Sequence, residues 1–118
     1  MRLTTDNGQF FMSYKTITPT EFAERTARGE RLRLIDVREP EEFELARVAG
    51  AELLPLSRFQ EWAGALDAED EIVVMCHHGI RSAQVCAYLA GQGFTRMVNL
   101  AGGIERWSWE VDRSVPRY

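Results

Sequence analysis

Ile72-Val73-Val74-Met75-Cys76-His77-His78-Gly79-Ile80-Arg81-Ser82 joins an apolar run, a short polar loop and the start of a helix. The run from Glu71 to Met75 is rich in β-branched residues and has the length of a buried strand. After the loop, Ser82–Gly91 predicts a helix with Val85, Cys86 and Leu89 on one face. A strand that passes through a tight loop into a helix is half of a βαβ unit. The same alternation extends in both directions. Upstream, Tyr14–Ile17 reads as a short strand, and Thr18-Pro19-Thr20-Glu21 opens a helix with a cap, a proline at the first helical position and a capping-box glutamate. That helix carries Phe22, Ala23 and Thr26 and stops near Gly29. Leu32–Val37 predicts a strand, Pro40-Glu41-Glu42-Phe43 a helical turn, and Ala51–Leu54 another strand closed by Pro55. Ser57 is expected to cap a helix holding Phe59, Trp62, Ala63 and Leu66. Downstream, Met97–Leu100 is a last strand, and Gly102-Gly103 turns into a helix with Ile104 and Trp107.

Strands spaced too widely for hairpins and separated by helices imply a mostly parallel sheet covered on both faces. The expectation is an α/β, three-layer domain with about five strands. Its 118 residues suit one domain with a substantial core. Residues 1–13 read as a flexible lead-in, with Met12 an alternative start to Met1, and residues 14–118 as the domain. Two cysteines are too few for a disulfide scaffold. The apolar runs fall far short of the ~20 residues of a membrane span. Arg2 is followed by Thr4, Thr5, Asp6 and Asn7, not by the apolar stretch of a secretory leader. A net charge of −4 gives no general grip on a phosphate backbone, so no nucleic-acid partner is expected. The expected location is the cytoplasm.

In open α/β sheets, ligands bind beyond the carboxyl ends of the strands. The Cys76 loop occupies such an end. Gly79 permits a positive φ, and successive loop amides can curl into a nest around an anionic atom. The next helix adds its positive end and Arg81 a full charge. Cysteines in such surroundings have pKa values lowered from about 8.5 to roughly 3.5–7.5. Cys76 is therefore the candidate nucleophile, and His77, His78, Gly79, Ile80, Arg81 and Ser82 form the candidate binding loop. The alternative for Cys76 is a small apolar residue at a strand end.

The chain resembles the rhodanese (sulfurtransferase) domains from Ile17 to about Trp109. The resemblance rests on Ile17-Thr18-Pro19, Leu34-Ile35-Asp36-Val37-Arg38-Glu39, Gly50-Ala51 with Leu54-Pro55, the loop Cys76 to Ser82, and Leu100-Ala101-Gly102-Gly103-Ile104 with Trp107. It implies that Cys76 takes a sulfane sulfur from a donor such as thiosulfate, holds it as a persulfide against the loop amides, and yields it to a thiophilic acceptor. Cyanide, a small thiol or a protein thiol would serve as that acceptor. Such covalent catalysis predicts ping-pong kinetics and requires no cofactor. The family's Gly-His-Ile-x-Gly-Ala stretch reads Ala46-Arg47-Val48-Ala49-Gly50-Ala51 here, with Arg47 in place of the histidine.

Two rival readings remain open. One is a sulfur carrier that turns over only with its partner. The other is a cysteine phosphatase or arsenate reductase. Those enzymes place five residues between cysteine and arginine to enclose a tetrahedral oxyanion. Cys76 and Arg81 are separated by four, a tighter loop that suits a single sulfur.

Other residues admit two roles each. His77 and His78 either set loop polarity and move protons, or are spectators. As neighbours they make poor joint metal ligands, and no metal is expected. Cys86 is either a core residue or a resolving thiol. Asp36 and Arg38 are secondary site candidates beside Glu39: Arg38 meets an anionic donor, or the three charges form an ion-pair network that holds the loop. Trp107 suits the core, whereas Trp109 is expected to point outward.

Overall fold

The computed structural model describes residues 14–118; the expected lead-in over residues 1–13 lies outside them. In chain order the elements are β1 (Tyr14–Ile17), α1 (Pro19–Ala27), β2 (Arg33–Asp36), α2 (Pro40–Leu45), β3 (Glu52–Leu53), α3 (Phe59–Trp62), β4 (Ile72–Met75), α4 (Ile80–Gly91), β5 (Met97–Leu100) and α5 (Gly103–Glu110). All neighbouring strands pair in parallel, in the order β1-β5-β4-β2-β3. The three-layer α/β expectation matches this architecture.

The strands divide their side chains between two cores. Along β4 every residue is buried, but Val73 and Met75 face one side while Ile72 and Val74 face the other. Val73 and Met75 share a cluster with Phe22 of α1 and Ile104 and Trp107 of α5. Ile72, Val74 and Cys76 pack with Val85, Cys86 and Leu89 of α4 and with Trp62. Full burial of a valine or isoleucine side chain contributes about 1.5–3 kcal/mol. Burial on both faces explains why the strand reads as an unbroken apolar run.

At α1 the Thr18 side chain accepts the Glu21 amide while Glu21 accepts the Thr18 amide, the expected capping box. The helix expected from Ser57 does not form as one piece. A 3₁₀ turn over Leu56–Arg58, the four-residue α3 and a second 3₁₀ turn over Ala63–Ala65 replace it. Ser57 gives its amide and hydroxyl protons to the Glu39 carboxylate and so caps nothing. The Trp62 indole turns back to the Pro55 carbonyl at 2.8 Å, and Gly64 weakens the turn that follows. No helix among the described residues is long and apolar enough to cross a membrane.

Candidate active site

The carboxyl ends of β2 and β4 lie side by side, and each leads through a turn into a helix. After β4 the chain delivers Cys76, 1% exposed, to a loop that curls around its own sulfur. The Gly79 amide donates to Sγ at 3.1 Å and the Ser82 amide at 3.3 Å. Gly79 reaches this position with φ +98° and caps α4, which begins at Ile80, two residues before the sequence expectation. A side chain at φ +98° would be strained.

The outer face of the loop is held by α5. The Ile104 amide donates to the Cys76 carbonyl at 2.9 Å, and the Glu105 amide to the His77 carbonyl at 3.2 Å. Two helix N-termini therefore address one loop. The amide of Ser82, in the first turn of α4, serves the sulfur, and those of α5 serve the loop carbonyls. Such close approach requires Gly103, because a Cβ there would lie 2.3 Å from the Cys76 carbonyl oxygen and 2.5 Å from that of His77.

Asn99, on β5, completes the loop's anchoring. The Ser82 hydroxyl donates to Asn99 Oδ1 at 2.6 Å, and Asn99 Nδ2 donates to the Gly79 carbonyl at 3.2 Å. Ser82 Oγ also lies 3.3 Å from Cys76 Sγ. With its one proton engaged by Asn99, the hydroxyl turns lone pairs toward the sulfur and suits an S–H donor. A polar residue inside the buried run Met97–Leu100 was the sequence signal for Asn99.

The turn after β2 contains opposite charges. Asp36 and Arg38 are completely buried. Arg38 donates through Nε and Nη2 to the Asp36 carboxylate, with Nη2–Oδ2 at 2.7 Å. Its other N–H groups reach the carbonyls of Ala46 and Glu42 and the Tyr118 hydroxyl. All five guanidinium donors are thus engaged within the chain. Their carbonyl partners lie at the end of α2, where a cation is favoured.

Arg81 does not stand free over the loop. It pairs bidentately with Glu42 of α2, at 2.8 and 2.9 Å. Glu42 Oε1 also accepts the Glu39 amide at 3.0 Å, and Oε2 accepts the Tyr118 hydroxyl at 2.8 Å. Arg81's hydrogen bonds, above all, hold the Glu42 carboxyl down to about 2. The Tyr118 ring stacks on His77 at 3.9 Å, and His77 on His78 at 3.8 Å. Burial, followed by the neighbouring His78, lowers the pKa of His77.

His77, His78 and Glu105 offer ligand atoms within 4.8 Å of one another. The stacked imidazoles are inclined by only 20°, so their nitrogen lone pairs leave in nearly parallel planes. That is poor geometry for converging on one ion. Cys86 sits wholly within the core, where burial pushes its thiol up to about 12. Ile80 is exposed at the rim of the loop. Trp109 is exposed as expected, beneath the guanidinium groups of Arg113 and Arg117.

The family model of the rhodanese-like domain matches residues 18–110. Rhodanese-like/PpiC domain-containing protein 12, chloroplastic, of Arabidopsis thaliana is 42% identical over 93 residues, covering 75% of this chain and 31% of that protein. Thiosulfate sulfurtransferase GlpE of Ectopseudomonas mendocina is 33% identical over 94 residues, covering 80% of this chain and 84% of that protein. The crystal structure of a rhodanese-like domain protein from Staphylococcus aureus aligns with a TM-score of 0.75 and 26% identity, covering 88% of this chain and 98% of that one. Against several curated relatives the chain spans a smaller part, between 27% and 54% of their length.

Proposed function

The chain belongs to the rhodanese-like domain family, and from that premise we propose that residues 14–118 form a single sulfurtransferase domain with Cys76 as its nucleophile. The Cys76 thiolate attacks the sulfane sulfur of a donor such as thiosulfate. The donor's S–S bond breaks, sulfite leaves with the electron pair, and Cys76 carries a persulfide. A thiophilic acceptor then attacks the terminal sulfur, and the electron pair of the second broken S–S bond returns to Cys76. Cyanide leaves as thiocyanate; a small or protein thiol leaves as a persulfide. Covalent capture of this kind divides one transfer into two easier steps.

One observation carries this reading: the Gly79 and Ser82 amides converge on Cys76 Sγ. Preorganised N–H donors stabilise negative charge on a bound sulfur without reorganising during the reaction. Arg81, engaged by Glu42, leaves the loop shaped for one sulfur atom, which disfavours oxyanion chemistry. No step needs a metal or organic cofactor. The partners in this reading are small sulfur donors and thiol or cyanide acceptors, in the cytoplasm, where both free thiols persist.

The test is intact-protein mass after incubation with thiosulfate and, separately, with cysteine persulfide, for wild type and Cys76→Ser. One added sulfur on wild type alone, removed by cyanide as thiocyanate, is the expected result. If neither donor adds sulfur to a folded, reduced chain, the proposal fails. Loading without repeated turnover against free acceptors would identify the sulfur carrier instead.

A further inference from the structure

Arg81 is the charged side chain in the loop around Cys76, and Glu42 occupies its guanidinium fork. The Glu42 carboxylate accepts four hydrogen bonds: two from Arg81, one from the Glu39 amide and one from Tyr118. Tyr118 is itself fixed, its oxygen accepting from buried Arg38 at 2.9 Å and its ring stacked on His77. A carboxylate with this many partners is not a surface counter-ion that solvent readily replaces. Held down to about 2 by the Arg81 hydrogen bonds, the Glu42 carboxyl is ionised at neutral pH. The Arg81–Glu42 pair therefore presents no net charge to an incoming donor, and the hydrogen-bond donors at the sulfur are the backbone amides of Gly79 and Ser82.

We propose that Glu42 determines donor specificity: by holding the Arg81 fork, it makes the loop favour persulfide donors, whose reacting sulfur group carries at most one negative charge, over the thiosulfate dianion. This rests on the sulfurtransfer reading and narrows its substrate class. A compact dianion gains most from a free cation, and it meets a compensated one. A persulfide R–S–SH needs none. Cys76 thiolate attacks its terminal sulfur, the S–S bond breaks, and RS⁻ leaves with the electron pair as Cys76–S–SH forms.

The experiment compares kcat/KM for sulfur loading from thiosulfate and from cysteine persulfide, in wild type, Glu42→Gln and Tyr118→Phe. Glu42→Gln keeps the side chain's size and releases the charge of Arg81. The thiosulfate value should rise about tenfold, through KM and not kcat, and weaken with added salt, while the persulfide value changes less than about twofold. Tyr118→Phe removes one of the four hydrogen bonds and leaves the carboxylate. It should move thiosulfate the same way by about two- to threefold, and it keeps the test open if Glu42→Gln folds poorly. Parallel changes for both donors, or a fall in the thiosulfate value, would overturn the inference and make Glu42 a support for the loop as a whole. Failure of both donors to load wild-type Cys76 would instead defeat the sulfurtransfer reading beneath it.

Discussion

Two strand-to-helix turns stand next to each other in the sheet, and they handle negative charge in opposite ways. After β2, the buried Asp36 carboxylate is matched by Arg38, whose donors are all satisfied by the chain. After β4, the Cys76 sulfur receives only backbone amides, and the nearby Arg81 is engaged by Glu42. The first turn is closed by its own counter-ion. The second turns backbone amides to its sulfur and, among the described residues, offers no unpaired cation beside them. Burial is nearly equal in the two places, so what separates anchor from site is the source of the donors.

The largest effect is expected from removing the counter-ion of the first turn. Arg38→Met leaves Asp36 buried and uncompensated, and it should destabilise the chain by about 3–5 kcal/mol in urea unfolding. A loss below about 1 kcal/mol would mean that the β2 turn is not closed as described. Acid provides the next test. Folding lowers the Glu42 carboxyl from 4.5 to about 2, so its stabilisation is complete above about pH 4.5 and is lost as pH falls toward 2. That contribution is on the order of 3 kcal/mol. Glu42→Gln should flatten the stability profile in that window.

Gly103→Ala probes the β4 turn alone. The added methyl must push the Cys76 and His77 carbonyls away, and sulfur loading should slow by about 100-fold while the Asp36–Arg38 pair is untouched. Loading at the wild-type rate would show that α5 does not set the loop. The smallest effect is expected at Asn99. Asn99→Leu strands the Ser82 hydroxyl and the Gly79 carbonyl at a cost of about 1–3 kcal/mol, and adding Ser82→Ala should recover part of it. No recovery in the double variant would place the cost in packing instead.

The parts of this arrangement that could be read in the sequence are local. Ile72–Met75 announced a buried strand, Thr18 with Glu21 a helix start, and Gly79 a turn of positive φ, because each signal lies within a few residues of what it controls. The 3₁₀ fragments over 56–65 were not readable, since Ser57 is diverted by Glu39, 18 residues earlier. Arg81 reads as a free loop cation until Glu42, 39 residues away, arrives. Tyr118 has no local pattern at all; its role comes from Arg38 and Glu42 across 80 and 76 residues. Charged and aromatic partners brought together by the fold leave no periodicity in the chain.

The contact of α5 with the loop also has a consequence in time. A nascent chain holding residues 14–96 already carries Cys76 and the amides of Gly79 and Ser82. It still lacks Asn99 and the α5 amides that fix the carbonyls of Cys76 and His77. During synthesis the thiol therefore leaves the ribosome well before its cradle is complete. Completion of that cradle waits on segments translated after the cysteine, so the emerging thiol lacks its full set of loop contacts until β5 and α5 have followed it.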